Sequence, residues 1–444
     1  MGHPIEIVKT SPNHSSIVLD EESLIRILTQ DDMEDRRLII VSMSGYFDRS
    51  KDLMLNFFLR YMNSQYKLEN RSKDWMSDEM QPLEGASWEN YNTEIGIQLW
   101  SEAFKTELTN GEKVAILLMN TKGFFDCDSI MDHLSASALA LTTTLSSMQL
   151  FFLPECMRKK FLQHLHFVIE YAKLPHENVN RILFQRLKFL IRDWPYPHEY
   201  KYGNEGGRDY LLQTFGNANI QDPELLCLKE KLESNFSEYS CFLMPHFVSN
   251  PAQDIKVNGL LSDLRNDYKQ QIKNLVPMLL ARENLDTKKI DLKYTAATLL
   301  EDFKKGVKFY QELDYILFKN SLNTKYNATA TRQAVVEYEN LMNTFCGPKK
   351  SYLKNKKFQS AHDICYKQAI QYFEKEKKLG YNDEADKIFK LLIDLKYKEF
   401  KSKNDDKNRF SVSGFIIFLI IAIMFITWRL VIPLLKLAKR NNWF

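Results

Sequence analysis

The sequence predicts an α/β domain with a central, mostly parallel sheet, then an all-α helical bundle, then one apolar C-terminal segment suited to a bilayer. Three observations predict this order. Residues 1–295 alternate short, unbroken apolar runs with helical stretches, residues 296–400 repeat apolar side chains at helical spacing, and residues 410–428 carry no charge. Apolar runs without alternation suit strands buried on both faces, which is the signature of a parallel sheet.

The elements follow in order. RLIIVSMSG (37–45) reads as a buried strand feeding the helical pattern KDLMLNFFLRYMNSQY (51–66). VAILLMNTKG (114–123) is a second strand, and SASALALTTTLSSMQLFFL (135–153) reads as helix. ILFQRLKFLIRDW (182–194) and YSCFLMPHF (239–247) complete the set of strands. Beyond residue 296, TLLEDFKKGVKFYQELDYILFK (298–319), ATRQAVVEYENLMNTFC (330–346), HDICYKQAIQYFEKEKKLG (362–380) and ADKIFKLLIDLKYKEFKSK (385–403) place apolar residues at i, i+3/i+4 and i+7. That spacing gives each helix a core face and a solvent face, hence a bundle. A basic linker, KSKNDDKNR (401–409), leads to FSVSGFIIFLIIAIMFITW (410–428), close to the ~20 residues that cross a bilayer core. Residues 429–444 form a short cationic tail whose apolar patch is broken by Pro433. One span with an interfacial tail and a shallow hairpin both remain open, and basic residues balance on the two flanks, so charge selects no orientation. MGHPIEIVKTSP has no apolar run of signal-peptide type, so residues 1–400 are expected in the cytosol.

Composition excludes some partners. A net charge of +3 over 444 residues, with no long basic block, argues against nucleic acid. Six cysteines without a CxxC pair argue against a zinc module and fit a reducing compartment. His164, His166 and His246 lack metal-ligand spacing and read as structural.

The stretch SGYFDRSKDL (44–53) follows the first strand and opens a helix, the context of a phosphate-binding loop. Gly45 and Lys51 keep the spacing of G-x-x-x-x-G-K-[ST], but Ser50 stands at the second glycine and Asp52 at the hydroxyl residue. On the residues alone this is a nucleotide site, the remains of one, or a coincidence.

With that frame the sequence resembles the atlastins, dynamin-superfamily GTPases of the guanylate-binding-protein type that tether and fuse endoplasmic reticulum membranes. The stretches that carry the resemblance are SGYFDRSKDLMLNFFLRYM (44–62), GIQLWSEAF (96–104), VAILLMNTKGFFD (114–126), FLIRDWPYPHEYKYGNEGG (189–207) and CFLMPHF (241–247). It continues through FCGPKKSYL (345–353) and KKLG (377–380). It implies a P-loop GTPase-like domain (1–295), a three-helix middle domain (296–400) and a membrane anchor. It also implies GTP or GDP as ligand, the bilayer as partner, and homo- or heterodimers with an atlastin-type protein through the GTPase-like and middle domains. The implied location is the endoplasmic reticulum membrane, with both domains facing the cytosol.

Position by position, Gly45, Arg49, Ser50, Lys51, Asp52, Leu53, Arg192 and Asp193 are the expected nucleotide-binding set. Lys51 matches the lysine that reaches the β/γ-phosphates, and Asp193 matches the group that pairs with guanine. The catalytic positions depart from the family. Asp48 stands at the internal arginine finger, Glu94 and Ile95 replace the switch threonines before Gly96, and Lys122 replaces a glutamine. Asn120 replaces the Mg²⁺-side aspartate, which leaves Asp52 and Asn120 as the metal positions, neither of the family's type. A carboxylate about 4 Å from a phosphate charge is repelled by about 4 kcal/mol at an effective dielectric of about 20, and an arginine finger is worth roughly 10³–10⁵ in rate. The expectation is an atlastin-like protein with impaired or lost GTP hydrolysis that organises membrane or pairs with an active relative. The alternatives are a working GTPase, with Asp52 on Mg²⁺ and Arg49 as a displaced finger, that drives membrane fusion, and a nucleotide-free scaffold.

Overall fold

The computed structural model describes residues 2–45, 49–67, 75–76, 95–122, 132–176, 182–216, 223–248, 261–285, 294–376 and 383–440. The chain divides into two compact units, Met1–Leu313 and Asp314–Phe444.

In the first unit the strands are β1 (Pro4–Thr10), β2 (Ile17–Leu19), β3 (Arg37–Gly45), β4 (Gly96–Trp100), β5 (Phe104–Glu107), β6 (Lys113–Lys122), β7 (Met148–Pro154), β8 (Phe184–Arg192) and β9 (Phe236–Leu243). They form one sheet in the order β2-β1-β4-β6-β3-β7-β8-β9, with β5 paired to β6. The neighbours from β6 through β3, β7 and β8 to β9 are parallel, and the pairings among β1, β2, β4, β5 and β6 are antiparallel. The parallel core carries the unbroken apolar runs; Leu38 to Met43 and Val114 to Met119 include residues at 0–1% exposure on both faces.

The helices of this unit are α1 (Glu21–Leu28), α2 (Arg49–Tyr66), α3 (His133–Leu145), α4 (Lys159–Lys173), α5 (Asn204–Gly216), α6 (Pro223–Asn235), α7 (Asn266–Leu280) and α8 (Ala296–Glu312). α2 and α7 cover one sheet face. Met54, Leu55, Phe57 and Phe58 of α2 share a core with Ile39, Val41 and Met43 of β3 and Ile272 and Leu275 of α7. Burying each such side chain stabilises by about 1.5–3 kcal/mol. On the opposite face, α3 is built of small residues (SASALALTTTL) and meets a buried polar layer. Ser146 Oγ donates to Ser42 Oγ at 2.6 Å, Gln149 Nε2 donates to Ser44 Oγ at 2.8 Å, and Thr121 and Thr142 share a hydroxyl contact at 2.6 Å.

The second unit holds α9 (Tyr315–Cys346), α10 (Asn355–Glu376) and α11 (Asp383–Arg440). Tyr338, Met342, Phe358, Cys365, Phe373 and Phe389 form its core, with Phe373 and Phe389 stacked at 4.6 Å. Tyr338 and His362 are hydrogen bonded at 2.9 Å within it.

Four sequence expectations differ from the structure. The apolar stretch 135–153 is not one helix: α3 ends at Leu145, and Met148–Pro154 is β7, inserted between β3 and β8. The stretch 298–319 is broken at Leu313, whose ψ of 131° leaves helical geometry. α8 packs on α1, α3 and β2, so the division falls at 313/314 rather than 295/296. The linker 401–409 is helix within α11 and is held by specific bonds. Asn404, 2% exposed, accepts from Leu353 N and donates to Leu353 O, both at 2.9 Å. Lys407 Nζ donates to the carbonyls of Cys346, Gly347 and Lys350 at 3.0, 2.7 and 3.0 Å, a cation against the C-terminal end of α9.

Among the described residues no helix is long and apolar enough to cross a membrane. The stretch 410–428 lies inside α11 with several of its side chains outside the described set. The large apolar ones described, including Ile416, Phe418, Ile421 and Met424, are exposed.

Candidate nucleotide site

Every strand of the parallel core ends on the same edge of the sheet, and the sequence-derived site residues collect along that edge. Ligands of open α/β sheets bind at the carboxyl ends of the strands. Gly45 closes β3, Lys122 closes β6, and Arg192 closes β8.

Gly45 has φ +110°, and a β-carbon there would meet Phe152 O at 2.4 Å and Phe152 N at 2.7 Å. Backbone, not a movable side chain, fills the space, so the tight exit from β3 requires glycine. Residues 46–48, including Asp48, lie outside the described residues, as do the side chains of Arg49 and Ser50, whose backbone begins α2. Lys51, 1% exposed, donates from Nζ to Thr121 O at 2.7 Å. The lysine at the position expected of a P-loop thus reaches across to the end of β6. Asp52 is half-buried in the first turn of α2, and Leu53 packs against the α2 core.

The β6 end is the second part. Met43 of β3 faces Asn120 of β6 in the parallel pairing, and Gln98 of β4 faces Asn120 on the other side. Asn120 and Gln98 are each 1% exposed and Lys122 is 3% exposed. Among the described residues Oδ1 and Nδ2 of Asn120 and Oε1 of Gln98 have no hydrogen-bond partner. Ile95 is half-buried just before β4, where its carbonyl accepts from Thr10 Oγ1 at 2.9 Å, and Glu94 lies outside the described residues.

At the β8 end, Arg192 and Asp193 form an ion pair, and Asp193 takes a left-handed φ of +57°. Its surroundings hold it there. Trp194 N donates to Met244 O at 2.9 Å, Trp194 Nε1 donates to Tyr200 O at 3.0 Å, and Gly203 N donates to Leu243 O at 2.8 Å. Gly207 lets α5 lie on β9, since a β-carbon would sit 2.2 Å from Cys241 O. His246, read from sequence as merely structural, places Nε2 3.7 Å from Asp193 Oδ1 and stacks on Phe247 at 5.1 Å. It borders the carboxylate that the resemblance matches to the guanine-pairing group, as its position just after β9 in PHF would have indicated. Gln98 and Thr121 were likewise not singled out from sequence; only the strand register brings them to Asn120 and Lys51.

Mg²⁺ is a hard cation that takes carboxylate, hydroxyl and water oxygens. The described residues offer it the Asp52 carboxylate and the Asn120 amide, with the Lys122 ammonium on the same sheet face. That set does not fit Mg²⁺. Nor could any described group of three or more His, Cys, Asp or Glu residues hold a metal.

The guanylate-binding protein N-terminal domain family matches residues 14–289. Atlastin of Drosophila melanogaster is 34% identical over 421 residues, covering 93% of this chain and 77% of its own length. Human atlastin-2 is 35% identical over 416 residues, covering 92% and 70% respectively. Human atlastin-3 is 34% identical over 421 residues, covering 92% and 76%. A GTPase-type domain match with the P-loop frame at its β3–α2 turn, and similarity that continues through the helical unit, lead to one conclusion: the chain belongs to the atlastin family.

Proposed function

We propose that this protein is a membrane-anchored, atlastin-type protein of the endoplasmic reticulum. In this proposal it binds guanine nucleotide at the β3–α2 turn and does not hydrolyse GTP above the background rate. It acts in membrane organisation, alone or paired with an active relative through the GTPase-like and helical units.

The observation that carries the lost hydrolysis is the end of β6. Hydrolysis in this fold uses Mg²⁺ to neutralise developing charge and an arginine to complete that neutralisation. At β6 the acidic metal-side position is the Asn120 amide and its neighbour is the Lys122 ammonium, both buried. The sequence adds Asp48 at the arginine position. Binding rests on what is kept: Gly45 at φ +110°, the buried Lys51, and Asp193 braced at the end of β8. Anchoring rests on residues 410–428, uncharged throughout and exposed at every described large apolar side chain. A helix that is apolar all round is at home in lipid.

The test is phosphate release from GTP by the full chain in detergent. Release at the buffer rate is the expected result. Turnover above it that disappears in Lys51→Ala would establish a working GTPase and end the proposal.

A further inference from the structure

Asn120 and Lys122 lie two residues apart on β6, so they share a face of the sheet, about 7 Å apart along the strand. It is the α2 face, because Ile116 and Leu118, of the same parity, sit in the core with Met54 and Leu55 of α2. Gln98 lies on that face too, directly opposite Asn120. Three amide atoms there, two on Asn120 and one on Gln98, are buried with no hydrogen-bond partner among the described residues. Buried polar atoms are rarely left unmatched, and such a group at the edge where ligands bind is a place prepared for a polar ligand. Lys51 Nζ reaches the same stretch of β6 at Thr121 O.

We propose that the Lys122 ammonium takes the place of the divalent cation. The phosphates of the guanine nucleotide then lie near Lys51 and Lys122, with Asn120 Nδ2 as a neutral donor, and binding needs no Mg²⁺. This rests on the guanine-nucleotide site proposed above. The two substitutions, at 120 and at 122, make sense together. An aspartate at 120 would pair with an ammonium at 122 and cancel its charge, whereas the amide does not. An amide supplies an N–H donor to phosphate oxygen, which a carboxylate cannot. A lysine ammonium is a compact point charge suited to phosphate, and at position 122 it repels a second cation. Mg²⁺ is excluded by the group that replaces it.

The experiment uses the full chain in detergent and a fluorescent GDP analogue, with affinity read by anisotropy in Mg²⁺ and in EDTA. The expected result is the same affinity in both, to within about twofold. Lys122→Gln is expected to weaken binding in EDTA by about tenfold or more. Lys122→Arg, which keeps the charge, is expected to retain metal-independent binding and so separates lost charge from lost folding. Lys122→Gln combined with Asn120→Asp is expected to make binding depend on Mg²⁺. Tight binding in Mg²⁺ that EDTA abolishes would overturn the inference and leave the guanine-nucleotide site standing. Lys122→Gln that binds like the parent in EDTA would also overturn it. No binding in either buffer would remove both the site and the inference.

Discussion

Gly45→Ala should be among the most damaging small substitutions in the first unit, and its cost can be worked from two terms. The first is backbone strain: φ of +110° lies outside the range that a residue with a β-carbon adopts, a penalty of about 1–3 kcal/mol. The second is overlap with Phe152, whose O and N would lie 2.4 and 2.7 Å from the new methyl. Phe152 is on β7, paired to Gly45 itself, so neither strand can retreat without breaking the parallel core. Overpacking of this kind costs about 1–3 kcal/mol. Together the loss is about 2–6 kcal/mol, and at about 2 °C per kcal/mol for a unit of this size the melting temperature should fall by about 4–12 °C. The assay is differential scanning calorimetry, with Gly216→Ala as the control. At Gly216 a β-carbon meets only the Leu212 side chain, at 3.8 Å, and alanine in a helix is worth up to about 1 kcal/mol over glycine. If the two variants melt within about 1 °C of each other, the β3 exit is not the crowded left-handed turn described here, and the argument for a retained P-loop frame fails.

Three further outcomes are expected. Lys407→Met removes three charge-assisted bonds to the carbonyls that end α9, and should destabilise the second unit by about 1–2 kcal/mol, read as faster amide exchange over residues 346–353. Burial pushes the Glu170 carboxyl up, but its ion pair with Lys231 at 2.6 Å, together with the charges of Lys173 and His166, outweighs this and holds it below the usual glutamate range. Its stabilisation is therefore present above about pH 4.5 and lost as pH falls through the lower folded value; Glu170→Gln should flatten the acid limb of a stability-against-pH curve for the first unit. His362 is lowered below 6.5 by burial beside Tyr338, so the unfolded chain binds the proton more readily in that window. Stability of the helical unit should fall as pH drops below about 6.5, and a curve flat through that range would refute the assignment.

What the sequence made legible was whatever depends on neighbours along the chain. β3 and β6 announce themselves as unbroken apolar runs because each is covered on both faces, and β8 and β9 do so only over their buried ends, Phe189 to Ile191 and Cys241 to Leu243. β7 was hidden because Leu145-Ser-Ser-Met148 offers no glycine or proline between a helix of small residues and a strand of large ones. The junction at 401–409 looked like a linker because its composition is charged, yet one amide and one ammonium find backbone partners about fifty to sixty residues away, which no local pattern reports. At the site, Gly45 and Lys51 were visible through spacing alone. The unmatched amides of Gln98 and Asn120 appear only once the β4–β6 register sets them face to face.

The unbroken helix α11 makes the helical unit a lever. Ahead of Pro433, residues 383–428 at about 1.5 Å each give about 69 Å of helix that runs from the bundle through the apolar stretch. Rotation or tilt applied to the bundle end arrives at the far end with its angular phase preserved. One residue inserted between Asn408 and Arg409 would turn everything beyond it by about 100°, whereas seven would bring it back to within about 20°. Such an insertion series distinguishes a rod that transmits torque from a tether that only holds its two ends near each other.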